Sequence, residues 1–167
     1  MASAIKGLSD YDPTKVPTAQ GFKFALVVSE YHDDITLALR DGAIATLLQH
    51  GCPEDAIAVY YVPGAFELTG GAHMVAQTQQ FDAILCLGCV IKGETSHDEY
   101  INHAVAEGLT RLSENLNLPI LFGLLTPNTH QQAIDRAGGK HGNKGTEVAV
   151  AAIKMVNLKN DLRLIWH

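Results

Sequence analysis

Residues 83–91, "AILCLGCVI", hold no charged or strongly polar side chain. Successive side chains of a strand point to opposite faces, so a strand apolar at every position must be covered on both. Three more runs read the same way: "FKFALVVS" (22–29), "AIAVYYV" (56–62) and "PILFGLLT" (119–126). A sheet covered on both faces is a parallel one with helices packed on each side, joined by right-handed crossovers. The chain is therefore expected to fold as an α/β protein, a three-layer αβα sandwich around a four-stranded parallel sheet.

The segments between these runs supply the covering layers. "DDITLALRDGAIATLLQHG" carries Ile35, Leu39, Ala43 and Leu47 on one stripe and ends at Gly51. "ELTGGAHMVAQTQ" is a weaker helix, because Gly70 and Gly71 lower its propensity. "DEYINHAVAEGLTRLSENL" places Ile101, Ala104, Val105, Leu109, Leu112 and Leu116 at helical spacing. A short helix, "THQQAIDRA", precedes the glycine-rich "GGKHGNKG", and a last helix runs from about 145 to 162 with Val148, Ala151, Ala152 and Met155 inward. The first 20 or so residues mix Pro, Ser, Thr and Asp without periodicity and read as an arm. No repeat or linker divides residues 1–167, so one domain is expected.

Composition narrows the function. At 167 residues, 47% hydrophobic and 18% charged, the chain suits a globular core. Its net charge of −6 argues against nucleic acid, which requires clustered Lys and Arg. No stretch reaches the length of a membrane span, and the arm has no apolar signal core, so a cytoplasmic location is expected. Cys86 and Cys89 match C-x-x-C, but they lie inside a strand and should point to opposite faces, which suits packing better than redox chemistry.

In folds of this class ligands sit beyond the carboxyl ends of the strands. Those ends are "SEYH" (29–32), "VPGAFE" (62–67), "IKGETSH" (91–97) and "LLTPN" (124–128). In "KGETSH", Gly93 admits close approach, Thr95 offers a hydroxyl, and the following helix directs its positive end here. Two readings stand at this point: an anion pocket, or simple capping of a helix by Thr95 or Ser96. His97 occupies a position suited to proton transfer, and equally one common for a surface histidine. Arg136, Lys140 and Lys144 in the glycine-rich turn are compatible with phosphate contact or with a solvated loop. That turn is neither a Walker loop nor G-x-G-x-x-G after a strand. No H-E-x-x-H metal motif and no G-x-S-x-G nucleophile elbow occurs.

Two non-enzymatic alternatives share the architecture. A receiver domain would need an aspartate ending the third strand, where Ile91-Lys92 stands. A flavin electron carrier would need a hydroxyl-rich phosphate loop after the first strand, where "SEYHDD" stands. Both fit poorly.

"VPGAFEL", "GCVIKGETSHDEYI", "LPILFGLLT" and "RAGGKHGNKG", in this order and spacing, resemble the lumazine synthase family across about residues 22–163. The resemblance implies a flavodoxin-like sandwich. It also implies an enzyme of riboflavin biosynthesis that joins 5-amino-6-(D-ribitylamino)uracil to L-3,4-dihydroxy-2-butanone 4-phosphate, with no metal or organic cofactor. It places Tyr31 against the pyrimidine, where the family usually has Phe or Trp. Ala65, Phe66 and Glu67 would hold the ribityl chain, and backbone groups of Cys89, Val90 and Ile91 would read the uracil edge. Glu94 and Thr95 would bind the phosphate-bearing substrate, and His97 would transfer protons. Phe122, Arg136 and Lys144 would come from a neighbouring subunit, over the pyrimidine, on the phosphate and near the uracil oxygens. The family forms pentamers, and in many members sixty subunits close into a shell. The compact "AGGKHGNKG" turn permits that closure. Lys92, Thr69, Asp98 and "LLTPNTHQQA" depart from the usual family pattern.

Overall fold

The computed structural model describes residues 9–165, so the first eight residues of the expected arm lie outside the described part. The elements in chain order are β1 (Phe24–Ser29), α1 (Asp33–Gln49), β2 (Ile57–Val62), α2 (Leu68–Gln77), β3 (Ala83–Cys89) and α3 (His97–Leu116). They continue with β4 (Ile120–Leu125), α4 (His130–Arg136), a small hairpin β5 (Ala137–Gly139) and β6 (Gly142–Asn143), and α5 (Lys144–Ile165). The main sheet is parallel in the order β2-β1-β3-β4. The three-layer sandwich expected from the sequence is the fold observed.

Strand parity divides the core in two. Phe24, Leu26, Val28, Leu85, Leu87 and Cys89 pack with Leu39, Ala43, Ala149, Ala152 and Ile153 of α1 and α5. Ala25, Val27, Ile84 and Cys86 pack with Leu68, Ala72, Val105 and Leu109 of α2 and α3. Cys86 and Cys89 thus face opposite layers, and burial pushes each thiol up to about 12. Neither can supply a thiolate near neutral pH, which removes the redox reading of "CLGC".

Several expectations are corrected. Burial on both faces holds for β1 and β3, whereas β2 and β4 are edges with partly exposed residues. Met155 (44% exposed) and Leu116 (37%) lie outside the core, as does Ala104: Met155 and Ala104 sit at the margin of a covered helix face, and Leu116 is the last residue of α3. The glycine-rich turn is a hairpin rather than an irregular loop.

The sheet order positions the site. From β1 the chain moves to one neighbour, β2, and then returns to the other side as β3. Loops leaving β1 and β3 therefore part in opposite directions, which opens a crevice at their carboxyl ends.

Candidate active site

The crevice is a cavity of about 730 Å³, lined by Tyr31, Gly64, Ala65, Phe66, Glu67, Cys89, Val90, Ile91, His97 and Tyr100 among others. Its size suits a drug-sized ligand. Eight of the thirteen residues singled out from sequence meet here: Tyr31, Ala65, Phe66, Glu67, Cys89, Val90, Ile91 and His97.

The loops are tied together by backbone bonds. Glu30 and Tyr31 donate N–H groups to the Pro63 carbonyl at 3.1 and 3.0 Å, which sets Tyr31 beside Gly64. A Cβ at Gly64 would stand 2.7 Å from two Tyr31 ring carbons, so the ring can occupy this place only over a glycine. The Gly64 N–H in turn donates to Glu67 Oε2 at 3.0 Å. That bond fixes one carboxylate oxygen and leaves acceptor capacity on the other. His32, also on the cavity wall, has the left-handed backbone φ 60 ψ 52, a strained geometry that favours functional rims.

Beyond β3, Val90 and Lys92 donate N–H groups to the Leu125 and Pro127 carbonyls, each at 2.9 Å. Strand alternation then turns the Ile91 N–H and carbonyl the other way, towards the side where β1 has already ended. Among the described residues neither has a backbone partner, and such a donor and acceptor at a cavity wall can read a planar polar edge.

His97 is the first residue of α3, and Ser96, the cap residue, makes no side-chain cap bond. The Thr95 hydroxyl accepts weakly from the His97 N–H at 3.4 Å. Side-chain capping therefore accounts poorly for "ETS", and the terminal N–H groups of a 20-residue helix remain aimed at the rim. Glu94 and Thr95 are exposed on the loop beside the cavity and do not line it.

Phe122, Arg136 and Lys144 stand elsewhere. Phe122 is on the β4 edge, 39% exposed. Arg136 and Lys144 line a second cavity, about 590 Å³, at the end of β4 with Thr126, Asp135, Lys140 and His141. There Arg136 donates to both Glu147 oxygens, at 2.8 and 3.2 Å, and Lys144 reaches Glu147 at 3.3 Å. One chain brings together the first group of residues but does not bring this second group into the crevice.

Sequence reasoning passed over Gly64, Tyr100 and Glu147. Tyr100 follows His97 at i+3 and Glu147 follows Lys144 at i+3, so helical spacing was an available signal for both. Nothing local marks Gly64, since the ring it accommodates comes from another loop.

Fold and rim together define a class: a doubly covered parallel α/β protein with a small-molecule site at the strand switch point. The model of the 6,7-dimethyl-8-ribityllumazine synthase family matches residues 21–160. A 6,7-dimethyl-8-ribityllumazine synthase of Phocaeicola vulgatus is 45% identical over 163 residues, covering 98% of this chain and 97% of that protein. The protein of the same name from Parabacteroides distasonis is 48% identical over 157 residues, 94% and 98% of the two chains. That of Bacteroides fragilis is 50% identical over 135 residues, 81% and 94%. This chain belongs to the 6,7-dimethyl-8-ribityllumazine synthase family. No described helix is long and apolar enough to cross a membrane.

Proposed function

We propose that this enzyme forms 6,7-dimethyl-8-ribityllumazine from 5-amino-6-(D-ribitylamino)uracil and L-3,4-dihydroxy-2-butanone 4-phosphate, releasing inorganic phosphate and two waters, in the cytoplasm. The observation that carries the reading is the crevice itself: an aromatic ring held over Gly64, a carboxylate anchored by that glycine, and a histidine at a helix start.

Tyr31 stacks on the pyrimidine, and Ile91 and its neighbours read the uracil edge. The free Glu67 oxygen accepts from ribityl hydroxyls beside Ala65 and Phe66. The phosphate ester enters at the helix start near Glu94 and Thr95. The substrate amine attacks the ketone and loses the first water to give an imine; His97 moves protons as phosphate is eliminated and the second ring closes with loss of the second water. Arg136 and Lys144, with Phe122, complete the site from a neighbouring subunit.

Apolar surface supports that sharing. Tyr61, Phe66 and Met74 form one exposed patch beside the β2 edge, at 48%, 62% and 69% exposure. Phe122, Leu158 and Leu162 are exposed towards the opposite flank, at 39%, 50% and 49%. Two different patches on opposite flanks suit heterologous contacts, which close into rings. We assign a pentamer as the minimal unit and, from the compact hairpin, a larger closed particle.

Steady-state assay with both substrates, following the lumazine by absorbance, tests the reading. Turnover dependent on both substrates is expected; its absence in folded protein overturns it. Sedimentation showing only pentamers in all buffers would remove the closed particle while leaving the chemistry intact.

A further inference from the structure

Arg136 has five N–H donors in one plane, and the structure shows which of them are occupied. One Nη1–H and one Nη2–H go to the two Glu147 oxygens, end-on, at 2.8 and 3.2 Å. The Nη1 group also donates to the His141 carbonyl at 3.0 Å. The Nε–H and the second Nη2–H remain, and among the described residues they have no protein acceptor. In a guanidinium these two lie parallel along one edge, the geometry that grips two oxygens of a phosphate.

Glu147 decides which edge is left. Its side chain is only 10% exposed, on the first turns of α5, and it takes both Arg136 and Lys144. Those cations come from opposite ends of the β5–β6 hairpin, so one carboxylate gathers them and keeps the guanidinium plane from rotating. Asp135 is engaged separately, accepting from Gln131 at 3.0 Å and pairing with Lys140 at 3.4 Å.

We infer that Glu147 is a positioning residue: it locks Arg136 end-on so that its Nε/Nη2 edge forms a two-pronged receptor for a phosphate monoester or inorganic phosphate. This rests on the proposed function, since Arg136 must meet a phosphate for its orientation to matter. Glu147 touches no substrate; it acts through Arg136 and Lys144.

The test uses the assembled enzyme. Inorganic phosphate binding is measured by calorimetry and as competitive inhibition against the phosphate-bearing substrate, in wild type, Glu147→Gln and Glu147→Asp. Both variants should weaken phosphate about tenfold, equivalent to losing one charge-assisted hydrogen bond, and raise KM for that substrate more than they lower kcat. Glu147→Asp keeps the charge and withdraws it by one methylene, so it serves if Glu147→Gln fails to fold. A lysine has no second edge to orient. In an Arg136→Lys background, Glu147→Gln should therefore cost less than twofold further, whereas a general structural role would cost as much as in wild type. Unchanged or tighter phosphate binding in folded Glu147→Gln would overturn the inference and make Glu147 a competitor for Arg136. Failure of wild type to turn over or to bind phosphate would instead remove the functional reading beneath it.

Discussion

The two cavities at the carboxyl end of the sheet are built on opposite electrostatic plans. The crevice around Tyr31, Glu67 and His97 keeps its polar groups sparse. Its one described side-chain bond within the wall, Gly64 N–H to Glu67, is neutral-to-charged. The β4 cavity holds its charges in pairs: Arg136 and Lys144 on Glu147, Lys140 on Asp135. A ligand entering the first meets a shaped apolar wall with a few free acceptors and donors. One entering the second meets three cations oriented by two carboxylates, with one positive charge in excess. The first design suits recognition of a planar ring. The second suits an anion whose oxygens must be met at fixed positions, because carboxylate partners hold the cations in one orientation.

That contrast can be broken at its frame first. A Cβ at Gly145 would overlap the Leu39 carbonyl oxygen of α1, where α1 and α5 cross under the second cavity. Gly145→Ala should lower stability by about 3 kcal/mol or more, read as a drop in melting temperature, because backbone rather than a flexible tip must yield. A change below about 1 kcal/mol would show that this crossing is not rigid.

Chemistry separates the regions next. Arg136→Ala should reduce kcat/KM at limiting phosphate substrate by about 10³-fold, two charge-assisted hydrogen bonds at about 2 kcal/mol each. His97→Ala should cost about 10²-fold, the usual worth of one proton-transfer group. The reverse order in steady-state kinetics would exchange the two regions in importance.

Gly64→Ala sharpens the contrast with Gly145→Ala. Tyr31 is 66% exposed and can swing aside, so stability should fall by less than about 1 kcal/mol. The displaced ring should still cost about tenfold in kcat/KM, through lost alignment. Equal damage to folding by both glycine substitutions would mean the rim is as rigid as the frame.

Mixing tests whether the regions cooperate across subunits. In rings assembled randomly from equal amounts of His97→Ala and Arg136→Ala chains, about a quarter of sites would have both groups intact. Activity near a quarter of wild type is expected after co-refolding. A mean of the two parents, with mixing shown by mass spectrometry, would place both groups in one subunit.

The smallest effect is acid sensitivity of the second region. The Gln131 hydrogen bond, aided by Lys140, holds the Asp135 carboxyl below the usual carboxylate value of 3.8. A group protonated less readily when folded stabilises above the unfolded pKa and loses that contribution as pH falls through the folded one. Asp135→Asn should therefore flatten the decline of melting temperature below about pH 4. An unchanged acid limb would show the pair contributes nothing there.

Much of this was legible in the residues. "FKFALVVS" and "AILCLGCVI" forced a buried parallel sheet, and the parity of Cys86 and Cys89 followed from strand alternation alone. The rim segment "VPGAFE" and His97 at the end of "KGETSH" marked one crevice, because strand ends gather ligands in this class of fold. The edge status of β2 and β4 was not legible, since apolar content does not say which strand lacks a neighbour. Nor was the exposure of Met155 and Leu116, whose helical spacing matches that of residues that do find a surface to cover.

Sequence by itself therefore determined the layers, the element order and the residue types at the strand ends, because these rest on periodicity and on local chemistry. Only the tertiary structure decided that Tyr31 lies over Gly64 and that Arg136 reaches Glu147. The Tyr31–Gly64 contact joins loops about thirty residues apart. The Arg136–Glu147 bond spans a hairpin that the sequence showed only as a glycine-rich turn carrying cations. Such pairings depend on where backbones converge in space, and spacing along a chain carries no record of that.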